Sequence, residues 1–150
     1  MTGPSPMTQR YSVDYLDVLL QLLRLDLTFP DVTVMSRIPD HITDYLPLVV
    51  IRRVGGDSPA PEFYDVPWVN VQCWCDDRYP DSDQFRAASD LADDVRRVFW
   101  EAWRTQRVVP GLGWIGAIRE TSAPQEISDD DRLFLGRYSA TYELRIRPAA

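Results

Sequence analysis

The stretch Gly136-Arg137-Tyr138-Ser139-Ala140-Thr141-Tyr142-Glu143-Leu144-Arg145-Ile146-Arg147 sets Tyr138, Ala140, Tyr142, Leu144 and Ile146 against Arg137, Ser139, Thr141, Glu143, Arg145 and Arg147. Strict period-2 alternation predicts a strand with one buried and one wet face, as in an antiparallel sheet covered on one side. A polar connection from Glu120 to Arg132 leads into it. Before that, Gly111 to Arg119 carries Leu112, Trp114, Ile115, Ala117 and Ile118 interrupted by glycine, the pattern of a bent strand.

Farther upstream, Val66 to Asp76 alternates Val69, Val71, Cys73 and Cys75 with Trp68, Asn70, Gln72 and Trp74. The tryptophans on the second face require cover, from a helix or from another chain, because large apolar groups left in water mark interaction surfaces. Leu46 to Val54 is a β-branched run expected to form a strand that stops at Gly55-Gly56, and Val32 to Met35 a short strand between Pro30 and Pro39. Asp57 to Pro67, with Pro59, Pro61 and Pro67, is expected as a loop or extended arm suited to binding.

Two helices complete the pattern. Val13 to Leu25 is apolar on most of its circumference, so it needs cover on two sides, from a sheet and a second helix of the same subunit or from a sheet and a neighbouring subunit. A longer helix, capped by Asp81 or Ser82 and running to about Thr105, carries the stripe Phe85, Ala88, Ala92, Val95, Phe99 and Ala102. Its outer face offers Arg86 with Asp90, Asp93 with Arg97, and Arg97 with Glu101 as i,i+4 pairs. The order helix, three strands, helix, two strands predicts an α+β fold, a mostly antiparallel β-sheet with two main α-helices packed on it. Residues 1–12 are expected as a flexible N-terminal arm and residues 13–148 as a single domain.

The chain has 150 residues, 23 acidic against 16 basic, for a formal charge of −7. A domain of this size buries about 70% of its unfolded surface, so its core requires neither disulfides nor a structural metal. The acidic balance argues against sequence-independent capture of duplex DNA or anionic lipid, which depends on clustered cations, and favours a protein partner. Every basic residue is arginine, which a GC-rich coding sequence explains, although the planar guanidinium also suits protein interfaces. Cys73 and Cys75 point the same way from alternate strand positions, a poor disulfide geometry, and free thiols imply a reducing interior. The Leu16 to Leu27 run is broken by Asp17, Gln21 and Arg24, so neither an export signal nor a membrane span of roughly 20 apolar residues is expected.

Catalytic signatures are missing. No phosphate-cradling glycine loop, nucleophile elbow or zinc-protease helix occurs. His41 is the sole histidine, and with Cys73 and Cys75 it supplies three soft ligands where a closed zinc site takes four. His41 beside Asp40 and Asp44 fits a solvated turn, and the carboxylate groups Asp76-Asp77, Asp93-Asp94 and Asp129 to Asp131 fit solvated acids better than an ion site or an acid–base pair. No enzyme activity, cofactor or metal is therefore expected. Asp129, Asp130 and Asp131 could instead form an arginine-binding patch against a neighbouring subunit.

The N-terminal Leu-rich helix, the phrase Leu46-Pro47-Leu48-Val49-Val50-Ile51-Arg52-Arg53-Val54-Gly55-Gly56, the strand Val69-Asn70-Val71-Gln72-Cys73-Trp74, the Ala-spaced helix and the closing strand to Pro148 together resemble the tail terminator proteins of long-tailed (siphovirus) actinobacterial phages. The likeness spans about residues 12 to 148. It implies a small structural subunit that forms a hexameric ring with copies of itself on the head-proximal end of the tail tube. Such a ring stops tube growth and presents a surface to the head–tail connector or stopper protein. The implied partners are further copies of the chain, the major tail tube protein and the connector; DNA passes through the lumen without specific binding, and neither cofactor nor membrane is involved. The implied location is the virion, after assembly in the host cytoplasm. Expected subunit or tube contacts are Arg53, Asp57, Glu62, Phe63 and Tyr64 at the first loop and Asp129, Asp130 and Asp131 at the second. The competing readings are a head-closure adaptor, an acidic inhibitor of a host DNA-binding enzyme, and a small hydrolase built on His41 or clustered carboxylates. An inhibitor that imitates DNA needs acids spaced like phosphates, whereas here acids alternate with arginines.

Overall fold

The computed structural model of the chain describes residues 11–128 and 134–149. The expected arm, through residue 10, and the expected contacts Asp129, Asp130 and Asp131 lie outside the described residues. The elements are α1 (Tyr15–Asp26), β1 (Thr33–Met35), a 3₁₀ turn (Ile42–Tyr45), β2 (Leu48–Ala60), β3 (Tyr64–Cys75), α2 (Gln84–Thr105), β4 (Gly113–Glu126) and β5 (Gly136–Pro148). They form the expected α+β fold. One sheet runs in the order β1-β2-β3-β5-β4, with β1 parallel to β2 and the other neighbours antiparallel.

Both helices lie on one face of this sheet. Asp14 caps α1, accepting a hydrogen bond from the Asp17 amide, and Val18, Leu19, Leu20, Leu22 and Leu23 are buried against α2, β1 and β4. The second cover that α1 requires is thus supplied by α2 of the same subunit. Helix α2 starts later than expected: Asp83, rather than Asp81 or Ser82, accepts from the Arg86 amide at 2.8 Å. All three residues are competent caps, and packing selects among them. The start of β5 approaches α2 so closely that a Cβ on Gly136 would collide with the Gln84 carbonyl. On the helix exterior Arg86–Asp90 and Arg97–Glu101 form as expected, at 3.1 and 2.9 Å, while Arg97 pairs with buried Asp94 in place of Asp93.

Two strands are longer than their sequences suggest. Strand β2 does not stop at Gly55-Gly56: a bulge at Val54, between Arg53↔Val69 and Gly55↔Trp68, shifts the register and both glycines pair with β3. Gly56 has φ of 111°, and a Cβ there would collide with the Val66 carbonyl oxygen, so the close pairing of β2 with β3 needs glycine. Most of the segment expected as a loop from Asp57 to Pro67 is therefore strand, closing at a turn of residues 61–63. Pro59 falls in a second register shift, between Asp57 and Ala60, where no regular ladder bond is lost. Strand β4 likewise continues to Glu126 through most of the expected polar connection. Register shifts at Ile115/Ala117, Glu120/Ser122 and Ser122/Gln125 break the alternation that would have marked it, and Pro124 is tolerated because β4 is an edge strand.

The main core fills the space between sheet and helices. A smaller core covers one end of the opposite sheet face, where Ile42, Leu46, Leu48, Val50 and Leu135 enclose Trp74.

Candidate interaction surface

The face of the sheet turned away from the helices is built by alternation. On β3, Val69, Val71, Cys73 and Cys75 point into the main core, which leaves Trp68, Asn70, Gln72 and Trp74 on the far side. Trp74 is covered by the 3₁₀ turn and its flanks, and the Arg137 guanidinium lies 5.1 Å from its ring centre. Next along the strand comes a polar ladder. Arg137 donates to the Gln72 side-chain oxygen at 2.9 Å, Gln72 donates to Asn70 at 3.0 Å, and Asn70 donates to the Ser139 hydroxyl at 2.8 Å.

Past the ladder the face is bare. Trp68 stays 43% exposed, with its indole lying against Gly55, where a Cβ would come within 3.2 Å of it. Beside it the Tyr64 ring carries two guanidiniums, Arg145 at 5.0 Å and Arg147 at 5.7 Å. A cavity of about 450 Å³ opens between Pro59, Tyr64, Trp68 and Arg145. Glu143, the natural cross-strand partner for these cations, is taken by Arg119 at 2.5 Å. Among the described residues, Arg52, Arg145 and Arg147 have no carboxylate partner.

The residues expected at the first loop divide into two groups. Arg53 is turned toward α1. Its guanidinium donates to both Asp65 oxygens, at 2.6 and 3.2 Å, and to the Gly55 carbonyl at 3.0 Å, and it lies 5.3 Å from the centre of the Tyr15 ring. Ser58 also donates to Asp65. This arginine anchors the base of the β2–β3 hairpin. Asp57, Glu62 and Phe63, in contrast, are exposed at or near its tip, Phe63 at 65%. Tyr11 donates to Glu62 at 3.0 Å and the Val13 amide donates to the Pro61 carbonyl at 2.8 Å, so the chain entering α1 is tacked to the tip. Trp68, which the alternation of β3 leaves needing cover from a helix or another chain, and Arg145 and Arg147, on the open face of β5, lie together here, although the expected loop contacts did not include them.

The model of a family described as phage tail termination protein matches residues 11–148, which takes in every described element. The chain belongs to the phage tail termination protein family. A tail-termination protein is a structural component of the phage tail and so of the virion. Solved structures agree on the fold. A chain from the virion of a native gene transfer agent particle aligns with a TM-score of 0.53 at 13% identity, covering 89% of this chain and 99% of that one. No curated protein matches this terminator-family chain significantly.

The histidine and thiols of this tail-termination protein sit apart. His41 is exposed beside the 3₁₀ turn, on the far side of the sheet from Cys73 and Cys75. Burial pushes the Cys73 thiol far up, with Cys75 adding to it, and pushes Cys75 up to about 12 against a lowering hydrogen bond with Tyr79. Such thiols are poor nucleophiles and poor ligands. Among the described residues no three His, Cys, Asp or Glu side chains gather as a metal site, and no helix is long and apolar enough to cross a membrane.

Proposed function

We propose that this subunit closes a hexameric ring with copies of itself on the head-proximal end of the tail tube, ends tube growth there, and offers the head–tail connector its docking surface. The family match over residues 11–148 carries this reading. It is supported by a sheet face on which Trp68 stays 43% exposed and Arg52, Arg145 and Arg147 have no carboxylate partner among the described residues, as expected of surfaces completed by other chains. Residues 13–148 act as one unit in the ring. The tip residues Asp57, Glu62, Phe63 and Tyr64 contact the tube or the next subunit, and Arg53 serves them by fixing the hairpin base. Asp129, Asp130 and Asp131 provide a second contact.

Capping of this kind works by shape. The ring matches the tube's end on one side and offers no equivalent surface on the other, so addition stops. With each copy carrying −7, the assembled bore repels DNA phosphate over about 8 Å at physiological salt, which lets the genome pass without sticking.

The test is polymerisation of the tube protein with and without this chain, read as tube length in electron micrographs. Short tubes bearing the chain at one end are expected with it and overlong tubes without it. An unchanged length distribution, with the chain left free in solution, contradicts the proposal.

A further inference from the structure

The uncovered sheet face has two unlike ends. At the end where β2 starts and β3 finishes, the 3₁₀ turn and its flanks stand on the sheet and expose Asp40 and Asp44 together with Ile38 and Tyr45, the latter two 40% and 39% exposed. Neither carboxylate has an ion-pair partner among the described residues. At the other end lie Trp68 and Tyr64 with Arg145 and Arg147, and Arg52 stands opposite Asn70 at the edge of this patch; among the described residues none of the three arginines has a carboxylate partner. Trp74, under the first patch, and Trp68, in the second, are six residues apart on β3, or roughly 20 Å at about 3.3 Å per residue. The first patch is mainly apolar and acidic, with exposed Arg37 next to Ile38, and the second mainly aromatic and cationic, with Asp57 lining the same cavity.

We propose that these two patches are the two halves of one self-interface: Asp40 and Asp44 of one copy pair with Arg145, Arg147 and Arg52 of the next, while Ile38 and Tyr45 cover Trp68. This deepens the ring reading above and rests on it. Distinct complementary patches at separated places on a subunit make a heterologous, head-to-tail contact, the kind that closes rings of more than two members. The arginines need such a partner. Glu143 is occupied by Arg119, and guanidiniums stacked on Tyr64 without a carboxylate among the described residues gain when carboxylates and apolar groups arrive together. Within one subunit the patches cannot meet, because both are fixed to the same sheet face.

Charge exchange tests the pairing. Arg145→Glu with Arg147→Glu makes both patches acidic, and Asp40→Arg with Asp44→Arg makes both basic. Each double variant, checked as folded by its thermal transition, is expected to lose ring assembly at least about tenfold, since like charges then face each other. An equal mixture of the two is expected to restore rings of alternating subunits, as is the fourfold variant alone. Native mass measurement and electron micrographs, with and without tube ends as template, read the result. If both double variants still form rings, or if the mixture stays dissociated, this pairing is overturned while the ring reading stands. If only the arginine variant fails, the basic patch binds the tube or DNA, and the proposal falls. A wild-type chain that pairs two by two, or that forms no ring even on tube ends, removes the head-to-tail contact and the ring reading together.

Discussion

Asp94 accepts three hydrogen bonds from the chain leaving α1, two from Thr28 and one from the Phe29 amide, and it is paired with Arg97, which itself donates to the Asp26 carbonyl. Burial is the largest single influence on this carboxyl and pushes it up. The Phe29 and Thr28 hydrogen bonds and Arg97 together outweigh burial and hold it below the ordinary carboxylate value of 3.8. A depressed native value means that the network's stabilisation is present above 3.8 and is lost as pH falls through the lower native value. Asp94→Ala should cost about 2–3 kcal/mol in urea denaturation at neutral pH, because it leaves buried donors unsatisfied, and the deficit against wild type should shrink in strong acid. Gly56→Ala should cost at least about 2 kcal/mol in the same measurement, since it combines a positive φ with a backbone collision. For Cys73 and Cys75, alkylation at pH 8 should be negligible in the native protein and complete in denaturant, as read by mass. Rapid native labelling would contradict their burial.

At the scale of elements, the β2–β3 hairpin separates a structural base from an exposed tip. Phe63→Ser at the tip should change thermal stability by less than about 0.5 kcal/mol while weakening tube capping, because Phe63 is 65% exposed. Arg53→Ala should lower stability itself, by leaving buried Asp65 unpaired. This division was only half legible in the sequence. Arg53 keeps the phase of Val49 and Ile51 and so faces the helix side, but the apparent stop of β2 at Gly55-Gly56 hid how far the hairpin runs on to its tip at Phe63. The alternating faces of β3 and β5 and the apolar stripe of α2 were legible, since their periodicity survives without interruption from neighbours. The full lengths of β2 and β4 were not, because bulges reset the period and proline and glycine imitate loop composition. Charge alone also failed to say which acid Arg97 would choose, since Asp93 and Asp94 differ only in which one the end of α1 covers.

For the whole molecule, the helix layer and the uncovered sheet face have different tasks. On the helix side α1 finds both of its covers inside the subunit, while Leu25 and Trp103 stay exposed at the ends of the helices. The sheet side is less complete, with Trp74 enclosed by the small second core and Trp68 left 43% exposed. Electrostatic contacts on that face should weaken in high salt, so ring stability measured by native mass should fall as ionic strength rises from about 0.1 M toward 1 M. The central claim, that this tail-termination protein caps the tube where it meets the head, is tested most directly by imaging virions that carry a labelled copy of the chain. Label confined to the junction of capsid and tail, at six copies per particle, is the predicted result. Label distributed along the tail or gathered at its far tip would contradict the account.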